Sequence, residues 1–384
     1  MNKKKILFIS NIAAKKVGSF SIASICASKN VGFEYHLAAN FRASSVAQMK
    51  EDEENYNIKL HQIDFERNPL SINNYKAYKQ MLSLIKNENF DIVHCNTPIG
   101  GLIGRVVAKK VGVNKVIYQA HGFHFYKGAP LFNRTIIKWA EMIMAHWTDE
   151  IITINHEDYE AALNFKLKNN GKVYYVPGVG INTQEYFDIQ VDKRKIREQL
   201  GLMEDDVICI SMGDLIDRKN YKTAIQAIAL ANDKKIHYLI CGQGPELENL
   251  TQLVKDLQLE QQVHFLGFRT DIKELLKISD IFLFTTKQEG LPRSMMEAMA
   301  SGLPCIASKI RGNVDLLENN VGGYLISYND VIECADKIKY LSKNKDVRNS
   351  FSLANIKRIQ KFDHKEVEKC IEKIYENINL QECE

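Results

Sequence analysis

Several features that define other protein classes are missing from this chain. Its 8 cysteines are scattered singly, with no C-x-x-C pair and no Cys/His cluster, which argues against structural zinc and against a disulfide framework. No run approaches the roughly 18 apolar residues of a membrane-spanning helix. The basic amino terminus precedes only about five apolar residues, too few for a signal peptide. We therefore expect a cytoplasmic protein, either free or peripheral on the inner face of the cell membrane.

The glycine fingerprint of dinucleotide-binding proteins is also absent. The loop after the first predicted strand, NIAAKKVGS, holds one glycine, Gly18, where G-x-G-x-x-G has three, and this counts against an NAD-dependent dehydrogenase. The net charge is only +4, and no basic stripe with interleaved aromatic residues occurs. We therefore expect no nucleic-acid partner.

What the chain does contain is an alternation of apolar runs and helical patterns. This alternation over 384 residues predicts an α/β protein with two doubly wound, Rossmann-like domains. Pro177 and Gly178 mark a break between the halves. We predict a first domain over residues 1–180, a second over 181–362, and a terminal helix with its tail over 363–384.

The strands and two helix ends can be placed more closely. Gly32 and Gly112 are predicted to end two helices as C-terminal caps. The predicted strands begin near residues 5, 34, 58, 91, 115, 150 and 172 in the first half, and near 207, 237, 263, 281 and 305 in the second.

The stretch from Ile281 to Ala307, IFLFTTKQEGLPRSMMEAMASGLPCIA, reads as strand, loop, helix and strand. Ser294 and Glu297 have the spacing of a capping box, so we predict a helix that begins near Ser294. The first turn of a helix attracts anions such as phosphate. Glu289, at the carboxyl end of the preceding strand, suits hydroxyl groups better than phosphate. The alternative is that Glu297 only completes a cap and that Glu289 is a solvated loop residue.

Two further loops follow predicted strands of the second half. Arg218 and Lys219, in MGDLIDRKN, lie just before a helix that begins near Tyr221, where two cations could neutralise a diphosphate. Taken alone, such a pair is more often solvated surface charge. Gly242 and Gly244, in CGQGPE, would let either a ligand or a neighbouring backbone come close.

The first half carries two features with a possible chemical role. His121, in QAHGFHFYKGAP, follows a strand and could touch a sugar or phosphate, although a loop histidine bonded to backbone is the simpler interpretation. LFNRTIIKWAEMIMAHW places apolar residues at helical spacing, with Lys127, Arg134 and Lys138 nearby. Most such helices pack on a sheet, and a minority bind membrane surfaces. The predicted apolar face consists of Phe132, Ile136, Ile137, Ala140, Ile143, Met144 and Trp147.

These motifs together resemble one known family. Glu289 and Glu297, separated by seven residues in EGLPRSMMEAMASGLPCIAS, and GDLIDRKN, which fits G-x-L-x-x-x-K-N, resemble the retaining, nucleotide-sugar-dependent glycosyltransferases of family four. Many members have Arg where this chain has Asp214, and whether Arg218 replaces it is open. HGFHFYKGAP and VYYVPGVGI look most like the capsular and exopolysaccharide branch.

The resemblance implies a GT-B fold, in which two Rossmann-like domains face a cleft and a C-terminal helix crosses back to the first domain. It implies a UDP-sugar donor and an acceptor glycan on undecaprenyl diphosphate. An acceptor carried on a lipid would need a membrane-binding surface, and the apolar and basic residues of 123–147 could supply one. The implied catalytic residues are Glu289, His121 and Lys219. The implied donor-binding residues are Gly213, Arg218, Lys219, Gly242, Gly244, Phe268, Arg269, Gly290, Leu291, Pro292, Arg293, Ser294, Met295 and Glu297. Arg269 could stack on the base or pair with Asp271.

The implied mechanism is front-face substitution, in which the leaving diphosphate helps to deprotonate the acceptor hydroxyl. Lys219, Arg218 and the helix start would stabilise the charge on the departing oxygens. Glu289 would orient the transferred sugar, and Glu297 the ribose. No Asp-x-Asp pair is placed for a metal, so none is expected as a cofactor. A nucleotide-sugar epimerase of the same fold and a non-catalytic nucleotide-binding module remain alternatives.

Overall fold

The computed structural model describes residues 3–12 and 15–380, without the side chains of Ser19 and Leu380. The chain divides into two compact units. Unit 1 comprises Met1–Gly180 together with His364–Glu384, and unit 2 comprises Ile181–Asp363. The last residues of the predicted tail, 381–384, lie outside the described part.

Unit 1 is built on a seven-stranded sheet in which every neighbouring pair is parallel. All seven predicted strands are confirmed. The strand order is β3-β2-β1-β4-β5-β6-β7. The strands are β1 (Lys5–Ile12), β2 (Glu34–Asn40), β3 (Lys59–Gln62), β4 (Ile92–Asn96), β5 (Lys115–Ala120), β6 (Glu150–Thr153) and β7 (Lys172–Tyr175).

Helices cover both faces of this sheet, as the two separate apolar clusters of unit 1 show. Gly32 and Gly112 end α1 and α4 in the left-handed conformation, with φ of 85° and 83°, so both predicted caps are confirmed. The helices are α1 (Ser19–Val31), α2 (Val46–Tyr56), α3 (Asn73–Glu88), α4 (Pro98–Val111), a π-helical turn (Asn133–Ile137), α5 (Lys138–Ala145), α6 (His156–Ala162) and a 3-10 turn (Lys168–Asn170).

The C-terminal helix belongs to unit 1. It spans His364–Leu380, is numbered α16 after the helices of unit 2, and packs on α1. The predicted helical stripe is confirmed, because its apolar residues are at most 3% exposed. They are Val367, Ile371, Ile374 and Tyr375.

Unit 2 is built on a six-stranded parallel sheet in the order β10-β9-β8-β11-β12-β13. The five predicted strands are present, and a sixth, β13, was not predicted. The strands are β8 (Val207–Met212), β9 (Ile236–Cys241), β10 (Val263–Gly267), β11 (Ile281–Phe284), β12 (Cys305–Ser308) and β13 (Gly323–Ile326). The helices are α7 (Thr183–Phe187), α8 (Lys193–Gln199), a 3-10 turn (Asp217–Lys219), α9 (Tyr221–Ala231), α10 (Leu247–Asp256), α11 (Ile272–Ile278), α12 (Arg293–Ala300), α13 (Asn313–Leu316), α14 (Val331–Lys343), α15 (Lys345–Ile359) and a 3-10 turn (Gln360–Phe362).

The strand order of unit 2 determines where a ligand could bind. From β8 the chain builds the sheet outward through β9 and β10, and then returns to place β11 on the other side of β8. Such a reversal opens a crevice at the carboxyl ends of the two central strands, where open α/β sheets bind ligands. The loops that follow β8 and β11 therefore meet at this edge.

Candidate functional site

Charged side chains from the two central loops of unit 2 converge on one carboxylate. Glu289 Oε1 accepts hydrogen bonds from Lys219 Nζ at 2.8 Å, Arg218 NH1 at 2.9 Å and Thr286 Oγ1 at 2.9 Å. The side chains of Lys219 and Glu289 are only 13% and 11% exposed, whereas that of Arg218 is 40% exposed. Two cations and one anion thus share a sheltered position at the switch point, and the group carries a net positive charge.

Gly213 makes room for Lys219. Its φ of 144° suits glycine, and a Cβ at this position would lie 3.3 Å from Lys219 Cε. Its carbonyl accepts a hydrogen bond from Tyr221 Oη at 2.8 Å. Burial raises the pKa of Tyr221 above its usual value, which keeps the phenol protonated as a donor. The loop after β8 is therefore held close to the start of α9, with the lysine lying over it.

The two glycines of CGQGPE face a neighbouring backbone. A Cβ on Gly242 would lie 1.9 Å from the carbonyl oxygen of Gly213, and one on Gly244 would lie 2.4 Å from that of Leu215. Of the two interpretations left open by the sequence, close backbone approach is the one observed. These glycines support the loop that carries Lys219.

Two residues that hold Glu289 were missed by the sequence analysis. Arg311, which is 7% exposed, donates from Nε to the main-chain oxygen of Glu289 at 3.0 Å. Thr286 contributes the hydroxyl bond described above. Both follow the carboxyl end of a strand, β12 for Arg311 and β11 for Thr286, so the rule that singled out Glu289 also applies to them.

The capping box predicted at Ser294 is wrong. Helix α12 begins at Arg293 after Pro292, and no side chain caps it. Ser294 therefore lies inside the first turn, where its hydroxyl cannot act as the cap. Glu297 instead accepts a hydrogen bond from Arg293 Nε at 2.8 Å. Tyr186 lies beside this ion pair. Burial is the main cause that raises the pKa of Tyr186, and the negative charge of Glu297 is the second.

Glu297 and Glu289 thus belong to separate groups. In the part of the chain that the structure describes, no hydrogen bond or ion pair links Glu297 to Glu289, Lys219 or Arg218. The predicted residues between the two glutamates form the connecting loop and the first turn of α12. Met295 is fully buried, so only its main chain can face a ligand.

The position predicted for a nucleobase has one ion pair and one exposed ring. Arg269 binds Asp271 through two bonds, Nε to Oδ1 at 2.8 Å and NH2 to Oδ2 at 2.5 Å. The pairing alternative for Arg269 is therefore the one observed. Phe268 is 73% exposed, so its ring is accessible for stacking.

His121 lies in unit 1, directly after β5. Phe20 packs edge-on against its imidazole, with ring centroids 5.1 Å apart. Both ring nitrogens are buried and have no hydrogen-bond partner among the described residues. Burial lowers the pKa of His121 to about 4, so the ring is neutral near pH 7. The structure therefore does not show the backbone-bonded loop histidine of the simpler interpretation.

The described residues contain neither a candidate metal site nor a candidate membrane-spanning helix. Within residues 3–12 and 15–380, no three His, Cys, Asp or Glu side chains come together as a metal site requires. Over the same residues, no helix has both the length and the apolar character needed to cross a bilayer.

Comparison with known proteins identifies the family. The family model for glycosyl transferases group 1 matches residues 192–358, and the model for glycosyl transferase 4-like domains matches residues 5–155. EpsD of Bacillus subtilis (strain 168), whose glycosyltransferase name is provisional, is 32% identical over 88% of this chain and 87% of its own. The chain belongs to the GT-B glycosyltransferases of family four.

Two more comparisons describe this glycosyltransferase further. An Escherichia coli UDP-Gal:alpha-D-GlcNAc-diphosphoundecaprenol alpha-1,3-galactosyltransferase is 30% identical over 69% of this chain and 70% of its own. The crystal structure of Anabaena HepE in complex with UDP has a TM-score of 0.77 and covers 98% of this chain and 99% of its own, at 20% identity. The latter likeness shows the GT-B fold.

Proposed function

We propose that this glycosyltransferase moves a sugar from a UDP-sugar to a glycan carried on undecaprenyl diphosphate, with retention of anomeric configuration, in capsular or exopolysaccharide synthesis. The Escherichia coli relative is named for a UDP-sugar donor and for an acceptor on diphosphoundecaprenol, and HepE binds UDP. The capsular assignment rests on the motif resemblance.

The observation that supports a diphosphate-bearing donor best is the cationic group at the switch point of unit 2. Lys219 and Arg218 lie within 2.9 Å of one carboxylate oxygen, beside the crevice where α/β sheets bind ligands. A donor diphosphate would find two cations here, and each charge-assisted hydrogen bond contributes about 1.5–3 kcal/mol. The first turn of α12 offers further N–H groups to it.

The chemistry then follows from charge. The bond between the anomeric carbon and the β-phosphate oxygen breaks, and negative charge grows on the departing diphosphate, where Lys219 and Arg218 stabilise it. The acceptor hydroxyl attacks from the same face and passes its proton to a diphosphate oxygen. Glu289 accepts hydrogen bonds from the sugar hydroxyls. We propose that no metal takes part, and that neutral His121 contacts the transferred sugar.

The experiment is a screen of UDP- and GDP-sugars with undecaprenyl diphosphate-linked N-acetylglucosamine as acceptor. Nucleotide release should occur with one or a few UDP-sugars and should depend on the acceptor. The NMR coupling constant of the anomeric proton in the product should show that the transferred sugar keeps the anomeric configuration it had in the donor. Release from GDP-sugars alone would refute the UDP assignment, and an inverted product would refute retention. A stereoisomer formed without acceptor would favour the epimerase instead.

A further inference from the structure

Asn220 occupies the position that normally caps a helix, but its side chain does not act as a cap. It lies between Lys219 and the first residue of α9, Tyr221, and its backbone is left-handed, with φ of 52° and ψ of 43°. Asparagine often caps a helix by accepting a hydrogen bond from a main-chain N–H of the first turn. No such bond forms here. The amide of Asn220 makes other contacts instead.

The Asn220 amide joins three loops of unit 2. Its Nδ2 group donates to the main-chain oxygen of Thr285 at 3.0 Å and to that of Tyr328 at 2.7 Å. Thr223 Oγ1 lies 3.0 Å from the same nitrogen. Thr285 directly follows β11, and Tyr328 lies shortly after the end of β13. One side chain thus fixes the loop after β8 to the loops after β11 and β13.

The loop after β11 also holds the backbone on both sides of Lys219. The main-chain oxygen of Arg218 accepts a hydrogen bond from the main-chain nitrogen of Lys287 at 2.8 Å. The main-chain oxygen of Asn220 accepts one from Thr285 Oγ1 at 2.8 Å. Lys219 therefore extends from a backbone that is held before and after it. A fixed backbone preorganises the lysine, so less ordering is required when the ammonium group binds an anion.

We propose that Asn220 is a positioning residue for the donor diphosphate. Its left-handed backbone and its amide set the direction in which Lys219 leaves the loop, so that the ammonium group faces the diphosphate without further ordering. Asn220 acts only through Lys219 and does not contact the donor itself. This inference rests on the proposed donor site, because it assigns Lys219 to the diphosphate. The alternative is that Asn220 only supports the fold of unit 2.

The test measures the binding of UDP to the full chain by calorimetry, so neither the donor sugar nor the acceptor has to be known. Asn220→Gly keeps the left-handed backbone, which glycine adopts freely, and removes the amide. A charge-assisted hydrogen bond contributes a factor of about 10 to 150, and we expect its misplacement in Asn220→Gly to weaken UDP binding about tenfold. Asn220→Asp keeps the size of the side chain but loses both N–H donors, and it should weaken binding at least as much.

A double-mutant cycle separates positioning from support of the fold. In the Lys219→Ala background, Asn220→Gly should change UDP binding by less than about twofold, because the group that Asn220 positions is no longer there. A residue that only supports the fold would weaken binding by the same factor in both backgrounds. Melting temperatures show that each variant is folded when binding is measured. If Asn220→Asp does not fold, Asn220→Gly decides the question.

The matched control is Asn232, at the other end of the same helix. It follows the last residue of α9, is exposed, and also has a left-handed backbone, with φ of 47°. Asn232→Gly therefore makes the same chemical change in the same conformation, away from Lys219. It should bind UDP like the wild type.

The outcomes distinguish this inference from the proposed function. Suppose that Lys219→Ala weakens UDP binding. If Asn220→Gly then binds UDP within about twofold of the wild type, or has the same effect in both backgrounds, the positioning role is wrong and the donor site stands. If the wild type does not bind UDP, or if Lys219→Ala binds it like the wild type, the proposed donor site is wrong and the positioning role is wrong with it.

Discussion

Replacing Lys219 by alanine tests the proposed donor site most directly. Lys219 Nζ lies 2.8 Å from Glu289 Oε1, and both side chains are largely buried. Removing one partner of a buried ion pair costs about 3–5 kcal/mol when the other charge is left unpaired. Here Arg218 and Thr286, each at 2.9 Å, still donate to the same oxygen. We therefore expect the free energy of unfolding to fall by only about 1 kcal/mol.

The loss of activity should be much larger than this loss of stability. Removing one preorganised donor that faces developing negative charge costs about 2.7–4 kcal/mol, or a factor of 10² to 10³ in kcat. Arg218 should not compensate, because its NH1 group is held by the main-chain oxygen of Gln288 at 2.5 Å and by Glu289 at 2.9 Å. We expect kcat for transfer to fall about 100- to 1,000-fold.

The assay is the initial rate of nucleotide release at saturating donor and acceptor, with melting temperatures measured alongside. Lys222→Ala, which removes an exposed lysine from the first turn of α9, three residues after Lys219, should leave the rate unchanged. Lys219→Arg retains the positive charge and should recover part of the lost rate. If Lys219→Ala turns over within about threefold of the wild type, against the hundredfold loss expected above, the donor-site reasoning is refuted.

Three more predictions concern the glycine at position 242, the buried His94 on β4 of unit 1, and Glu289. Gly242→Ala should lower the melting temperature by several degrees, since its Cβ would meet the Gly213 oxygen at 1.9 Å, and an unchanged value would contradict this close approach. Burial lowers the pKa of His94 to about 3, so the unfolded state protonates first as pH falls below about 6.5 and stability is lost. The free energy of unfolding of His94→Gln should therefore fall by about 2 kcal/mol less than that of the wild type between pH 7 and pH 5. An equal fall in the two proteins would refute this. Glu289→Gln should bind UDP at least as tightly as the wild type, by calorimetry, while losing transfer, because it no longer competes for Lys219; weaker binding would count against this view.

Much of the fold could be predicted because central parallel strands are buried on both faces. Their sequences are therefore continuous apolar runs, which stand out between helical patterns. Strand β13, at the edge of its sheet, was missed because two glycines interrupt its apolar run. Its four residues, GYLI, include two that are only partly buried, and two glycines precede the tyrosine. Such a run lacks the apolar continuity of a central strand.

The capping box shows why a local pattern can mislead. Ser294 and Glu297 have the right spacing, but the pattern does not say where the helix begins. Pro292 takes the cap position, and Arg293 follows it as the first helical residue. A glutamate four residues after an arginine can then form an ion pair on the helix surface, which is what Glu297 does. The spacing of Ser294 and Glu297 correctly predicted a helix start near Ser294. It wrongly predicted that Ser294 caps the helix.

One feature of the arrangement around Glu289 could be predicted from the sequence, and another could not. Lys219 and Glu289 are seventy positions apart, yet each follows a central strand, and parallel strands place all such ends at one edge of the sheet. From the sequence, the lysine was expected to bind phosphate and the glutamate to bind sugar hydroxyls, and the ion pair between them was not predicted. Two opposite charges in a sheltered crevice pair because burying either alone is costly. Lys219 has three N–H donors and gives one of them to Glu289, so in the proposed complex the donor diphosphate shares the lysine with this carboxylate.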